Sequence, residues 1–160
     1  MPRPFHLRRP WHAAFLAVLV ASVAACTRDD RRIVEVGAGV ALDRRTGLEW
    51  TSHDLEQSLS WEEADSQCRG RATENGREWR LPALGELEAL YDPLVDAPCG
   101  ERRCHLDPAI RLGGPYVWTV STRGPGTRFY FDFAYGNSFS PGTGPLLVRR
   151  VLCVRLGPKS

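Results

Sequence analysis

The stretch Ser60-Trp-Glu-Glu-Ala-Asp-Ser-Gln-Cys68 constrains the fold most, because it reads as a short amphipathic helix that ends in an inward-facing cysteine. Ser60 is placed to cap the N-terminus, and Glu63 stands where the third helical residue completes a capping box. Trp61, Ala64 and Cys68 follow at i, i+3 and i+7 and so share one face, while Glu62, Glu63, Ser66 and Gln67 fall elsewhere. Adjacent helical residues do not point to a common site, so Glu62 and Glu63 predict a solvated face rather than an acid/base pair.

Whether that cysteine is a thiol or half of a disulfide depends on the compartment, and the first 25 residues bear on this. Arg3, Arg8 and Arg9 precede an apolar run from Ala13 to Val20, and small residues follow, as in a signal peptide. The run is too short for a comfortable membrane span. Val23-Ala24-Ala25-Cys26 resembles a bacterial lipobox, in which the cysteine is acylated, with palmitate among the usual chains, and becomes the mature N-terminus. Thr27 after it implies sorting to the outer membrane. An anchor of several acyl chains is stable without a span. Arg8-Arg9 alone matches a twin-arginine signal poorly.

Residues 1–25 therefore read as signal peptide, 26–32 as a polar tether (Thr27 to Arg32, TRDDRR), 33–157 as one domain and 158–160 as a tail. Three of the 21 basic residues leave with the signal, so 18 basic face 19 acidic residues, a net charge of −1. That balance excludes a bulk electrostatic case for nucleic acid. The expected partners are instead the membrane, through the N-terminal lipid, and an envelope glycan or protein, with the domain itself a monomer. Export makes the four remaining cysteines disulfide candidates.

Along the domain, Ile33 to Val36 and Val40 to Asp43 read as strands, and Arg44 to Gly47 as a turn into Leu48-Glu49-Trp50. Gly37-Ala38-Gly39 lacks the third glycine and the helix of a nucleotide loop. Leu84, Leu87, Leu90 and Tyr91 form a second apolar stripe between Pro82 and Asp92-Pro93. Cys99 to Gly114 reads as loop. Three strands follow: Tyr116 to Ser121, Phe129 to Phe133, and Leu147 to Arg155 with Cys153 inside it. In the second, phenylalanine alternates, which predicts one apolar face and turns Tyr130 and Asp132 the other way.

The order TGLEW, SWEEADSQC, EWRLPALGELEALYD, VWTVST and VRRVLCVR resembles the Lcl C-terminal domain family of bacterial surface proteins and exported lipoproteins, from about Thr46 to Arg155. Trp79-Arg80-Leu81-Pro82 with Glu86-Leu87, and the final strand, carry most of the likeness. Two departures stand out. Ala83 replaces a helix-capping threonine, a loss of about 1 kcal/mol, and Thr119-Val120-Ser121-Thr122 replaces a Ser-Ser-Thr. The resemblance implies an α+β, C-type-lectin-like fold with two helices on small twisted antiparallel sheets. It pairs Cys68 with Cys153, worth roughly 4 kcal/mol by loop closure, and leaves Cys99 with Cys104.

The segment Cys99-Gly-Glu-Arg-Arg-Cys104-His105 admits several readings as a site. As a stretched haem attachment it lacks a second axial ligand, since no methionine follows the signal and only His53 is at hand. A zinc site would need one ligand more than Cys99, Cys104 and His105 supply. A disulfide in an exported loop needs nothing further. The alternative function is an exported enzyme related in fold to formylglycine-generating enzymes, with Cys99 and Cys104 as its redox pair, but there the pair closely precedes the last strand. Neither His53 nor His105 has a nucleophile at a telling spacing. The Glu-Pro-Asn and Trp-Asn-Asp calcium motifs of sugar-binding lectins are missing, and Asp132 with Asn137 would make a poor cation cage. The sequence thus predicts no catalysis, no metal and no cofactor. It predicts a binding edge of Arg123, Arg128, Tyr130, Asp132 and Tyr135 beside the loop Ser121 to Arg128, suited to an acidic glycan or an acidic envelope protein segment.

Overall fold

Ser60 does cap the first helix: its Oγ accepts from the Glu63 amide, and the Glu63 carboxylate accepts from the Ser60 amide at 3.0 Å. The helix, α1, covers Trp61–Arg69 and buries Ala64 and Cys68. This computed structural model describes residues 30–158 apart from 74–75 and 141–147. The signal peptide, Cys26, most of the tether and the end of the tail lie outside the described residues.

Strands β1 (Ile33–Gly37), β2 (Val40–Asp43) and β3 (Leu48–Thr51) form an antiparallel meander. The β1–β2 turn takes three successive positive φ angles, at Gly37, Ala38 and Gly39. Two glycines make that run accessible, and Ala38 is the strained member. The second helix, α2 (Leu84–Leu90), turns Leu87 and Leu90 inward. The stretch expected to be a loop contains a small hairpin of β4 (Ala97–Cys99) and β5 (Arg102–Cys104). Its pairing sets the two cysteines close enough to bond, which sequence alternation over three residues could not reveal. A second sheet runs β6 (Tyr116–Trp118), β7 (Tyr130–Asp132), β8 (Asn137–Phe139), all antiparallel. The last strand, β9 (Val154–Leu156), closes the first sheet in the order β1-β2-β3-β9.

The final strand is shorter than its apolar run suggests, because the segment serves several partners in turn, Arg80 among them at Val154. Arg149 bridges to Leu59, Arg150 bridges to Val117, and only from Val154 does the chain pair with β3. Between these contacts Val151, Leu152, Cys153 and Val154 are all fully buried. Alternate side chains of an extended segment point to opposite sides. Leu152 and Val154 enter one core, with Trp50, Leu87, Leu90, Phe131 and Phe133. Val151 and Cys153 enter a second, with Ala64, Cys68, Trp79, Leu81 and Trp118. The C-terminal segment is thus the partition between two cores, which is why it is apolar at four consecutive positions.

Two disulfides join these parts. Cys68 on α1 is bonded to Cys153 across 85 positions, and Cys99 to Cys104 within the hairpin. The fold is α+β: two helices and small antiparallel sheets, stapled twice, among the described residues.

Candidate functional site

The β6–β7–β8 sheet presents two unlike faces. Val117, Phe131 and, beyond the strand, Phe133 enter the first core. Trp118 and Tyr130, paired across β6 and β7, take the other side with Tyr116 and Phe139. Tyr130 is the centre of this side. Its ring stacks on Phe139 at 5.3 Å and meets Tyr116 and Trp118 edge-on at 5.6 and 6.2 Å. Such offset and edge contacts hold rings in fixed positions beyond what area alone would do.

One guanidinium group lies on this aromatic floor and a second over an indole of α1. Arg149 sits 4.4 Å from the centre of the Tyr130 ring and within 6 Å of Tyr116 and Trp118. Arg128 sits 4.0 Å over Trp61, whose indole N–H donates to the Thr119 carbonyl at 2.8 Å. The hydrogen bonds these guanidiniums make go to neighbouring carbonyls, from Arg128 to Thr127 and from Arg149 to Val148. The Nε atom of each is buried and has no partner. Both charges are held by ring faces, with no carboxylate against them among the described residues. Beside Arg149 a recess of about 90 Å³ opens between Ser58, Tyr116 and Val148. It is far smaller than a site that engulfs a ligand, so a ligand here would lie across the face and insert one small group.

The predicted site residues do not all gather here. Arg128 and Tyr130 belong to this face. Arg128 is half-buried rather than exposed, because Trp61 draws it down. Arg123 is exposed and lies 5.5 Å over Phe129, on the same loop. Asp132 does turn away from the phenylalanine face, yet it is buried, 3% exposed. Its carboxylate accepts from the Ala134 amide at 2.9 Å and its carbonyl from Gly136, so it builds the β7–β8 turn and is withdrawn from the site. Tyr135 is 68% exposed, but it follows β7 at the end opposite the Arg123–Arg128 loop. There it borders a separate hollow with Arg102, Arg103 and His105. Trp61, Tyr116, Phe139 and Arg149 were missed. Trp61 read as core, and Arg149 lay inside the run read as the last strand, where nothing in the sequence set it apart.

The family-like motifs converge elsewhere. Arg77 and Arg155 both donate to Glu49 Oε2, at 2.8 and 2.7 Å, and Arg155 lies 4.4 Å over Trp79. Two neighbouring hollows of about 380 and 370 Å³ border Ala38, Val40 and Arg155. They are roomier than the recess at Arg149; the shared carboxylate of Glu49 ties β3 to β9 beside them, while Arg71, on the wall of the larger, lies 5.4 Å over Trp79. Arg80 and Glu86 form a two-pronged pair across Pro82, at 2.8 and 2.6 Å.

Cys99 and Cys104 are each 1% exposed, and their sulfurs are bonded to one another. His105 donates through Nδ1–H to the Val95 carbonyl, and His53 lies between Ser52 and Arg111. No group of three or more His, Cys, Asp or Glu side chains converges among the described residues.

These features define a class: a two-core, disulfide-stapled α+β domain with an arginine–aromatic face. The model of the Lcl C-terminal domain matches residues 39–155, and the chain belongs to that family. No curated protein and no solved structure matches it.

Proposed function

We propose that this chain is a lipid-anchored, extracytoplasmic binding or structural domain of the bacterial cell envelope, sorted to the outer membrane, with a C-type-lectin-like arrangement of its helices and sheets. Its ligand is an acidic glycan or an acidic segment of an envelope protein, and it works as a monomer without catalysis. Family membership supports an envelope domain. The lipobox at Cys26 supports the anchor, and the union of β9 with the N-terminal meander supports the lectin-like reading.

The observation that carries the binding reading is the pair Arg128 and Arg149. Each is fixed on an aromatic ring, with a buried Nε left unpaired. A guanidinium already ordered by a ring loses little freedom when a carboxylate arrives. The ring floor offers stacking surface to a sugar or peptide beside the charge.

The test is binding of polygalacturonate, with neutral dextran as the control, beside a pull-down from envelope extract. Replacing both residues, Arg128→Gln with Arg149→Gln, should weaken polygalacturonate binding at least about tenfold, the loss expected for charge-assisted hydrogen bonds. Binding should weaken with salt and survive a chelator. Equal binding by the double variant, with its melting temperature intact, would place the site elsewhere.

A further inference from the structure

Arg32 fixes the point at which the chain enters the fold. Its guanidinium donates to both carboxylate oxygens of Asp43, at 3.1 and 2.7 Å, and to the Ala89 carbonyl at 2.7 Å. Its own carbonyl accepts from the Arg44 amide at 2.9 Å. The β2–β3 turn therefore lies against the entry point, and its Arg44 and Arg45 side chains are exposed. Arg45 also donates to Ala89, and Arg44 to the Arg31 carbonyl. Of the acids on this side, Asp43 is matched by Arg32, while Glu88 is exposed.

Five residues, Thr27 to Arg31, separate Cys26 from Arg32. Whatever conformation they take, they span at most about 20 Å. A domain of this length is about 36 Å across. An acyl anchor at Cys26 on so short a lead cannot let the domain present its far side to the bilayer. Helix α2 runs away from this corner. Its last turn, at Ala89, receives Arg32 and Arg45, whereas its first amide, Leu84, donates to Ser121 at the start of the Ser121–Arg128 loop. Five residue steps set these two points about 8 Å apart along the helix axis.

We propose that the β2–β3 turn is the membrane-facing end of the domain, with Arg44 and Arg45 against lipid headgroup phosphates and the Ser121–Arg128 loop one short helix further from the bilayer. This rests on the reading of Cys26 as the acylated residue. Guanidinium groups suit the task because they stay charged and grip phosphate oxygens in pairs.

Arginine footprinting with phenylglyoxal, read by mass spectrometry, tests it on the full lipoprotein in phosphatidylglycerol vesicles against the same protein in detergent. Labelling of Arg44 and Arg45 should fall about fivefold in vesicles, in line with the attraction of an arginine to an anionic surface, while Arg123 is labelled equally in both. With acyl mass present on Cys26, unchanged labelling of Arg44 and Arg45, or equal protection of Arg123, overturns the docking. Absence of acyl mass on Cys26 overturns the anchor itself and the docking with it.

Discussion

Three carboxylates show how single residues set the response to acid. Burial works to raise the pKa of Asp43, but hydrogen bonds from Arg32 and the Arg45 amide outweigh it and hold the carboxyl below its usual value. Glu86 is held low in the same way: burial opposes, and the Arg80 bonds and the Ala83 amide prevail. Asp54 is the reverse case, because burial keeps it above the usual 3.8 against the Gly113 amide and Arg150. A lowered carboxyl stabilises the fold above its unfolded pKa, and that stability is lost as pH falls through the folded value. A raised carboxyl is a burden at neutral pH that protonation relieves on the way down to 3.8. Thermal unfolding followed by circular dichroism should therefore show a shallow rise in stability on mild acidification and a fall at lower pH. Asp54→Asn should remove the rise, and Glu86→Gln should reduce the fall; a monotonic decline unaffected by Asp54→Asn would refute this account. At this scale the sequence was legible where local spacing decides, as in Ser60 with Glu63. It was not legible for Arg128, because a hydropathy pattern places an arginine outside and cannot foresee an indole beneath it.

Helix α2 lacks a capping side chain of its own, since Ala83 offers no oxygen. The Leu84 amide donates instead to Ser121 Oγ at 3.0 Å, from a residue 37 positions later, and Glu86 accepts from the Ala83 amide at 2.7 Å. The deficit expected from Ala83 is thus met in part by the very segment in which the sequence departs from the family pattern. Ser121→Ala should cost about 1 kcal/mol, the usual loss of a helix cap, measured by urea unfolding. A loss no larger than for Thr122→Ala would show that the bond carries nothing. Strands β1 to β3 were readable because a short turn joins each pair and the runs between the turns are short and rich in apolar residues. The β4–β5 hairpin and the truncated β9 were not, because three-residue strands have too little periodicity and β9 is cut short by partners distant in sequence.

Across the whole molecule, the bond between Cys68 and Cys153 ties α1 to the partition between the two cores. Loop closure makes it worth about 4 kcal/mol, against about 2 for Cys99 with Cys104. The paired change Cys68→Ala with Cys153→Ala should therefore lower unfolding stability by more than Cys99→Ala with Cys104→Ala. Chemical denaturation measures this, with non-reduced peptide mapping of the wild type to establish the pairing. Equal losses would mean that the hairpin holds more of the fold than its size suggests. The α+β class was legible from two helical stripes among short strands. The shared partition was not, because an apolar run of four residues looks alike whether it serves one core or two.

The Arg44–Gly47 turn touches both extremities of the fold. The Arg44 amide reaches back to Arg32, and the Gly157 amide donates to the Gly47 carbonyl at 2.8 Å. The domain consequently enters and leaves at one corner, and needs no more than a narrow gap in a host chain to be spliced in. That makes it a portable cassette: grafted into an exposed loop of an unrelated protein, or appended to its end, it would fold without pulling the host's flanking residues apart.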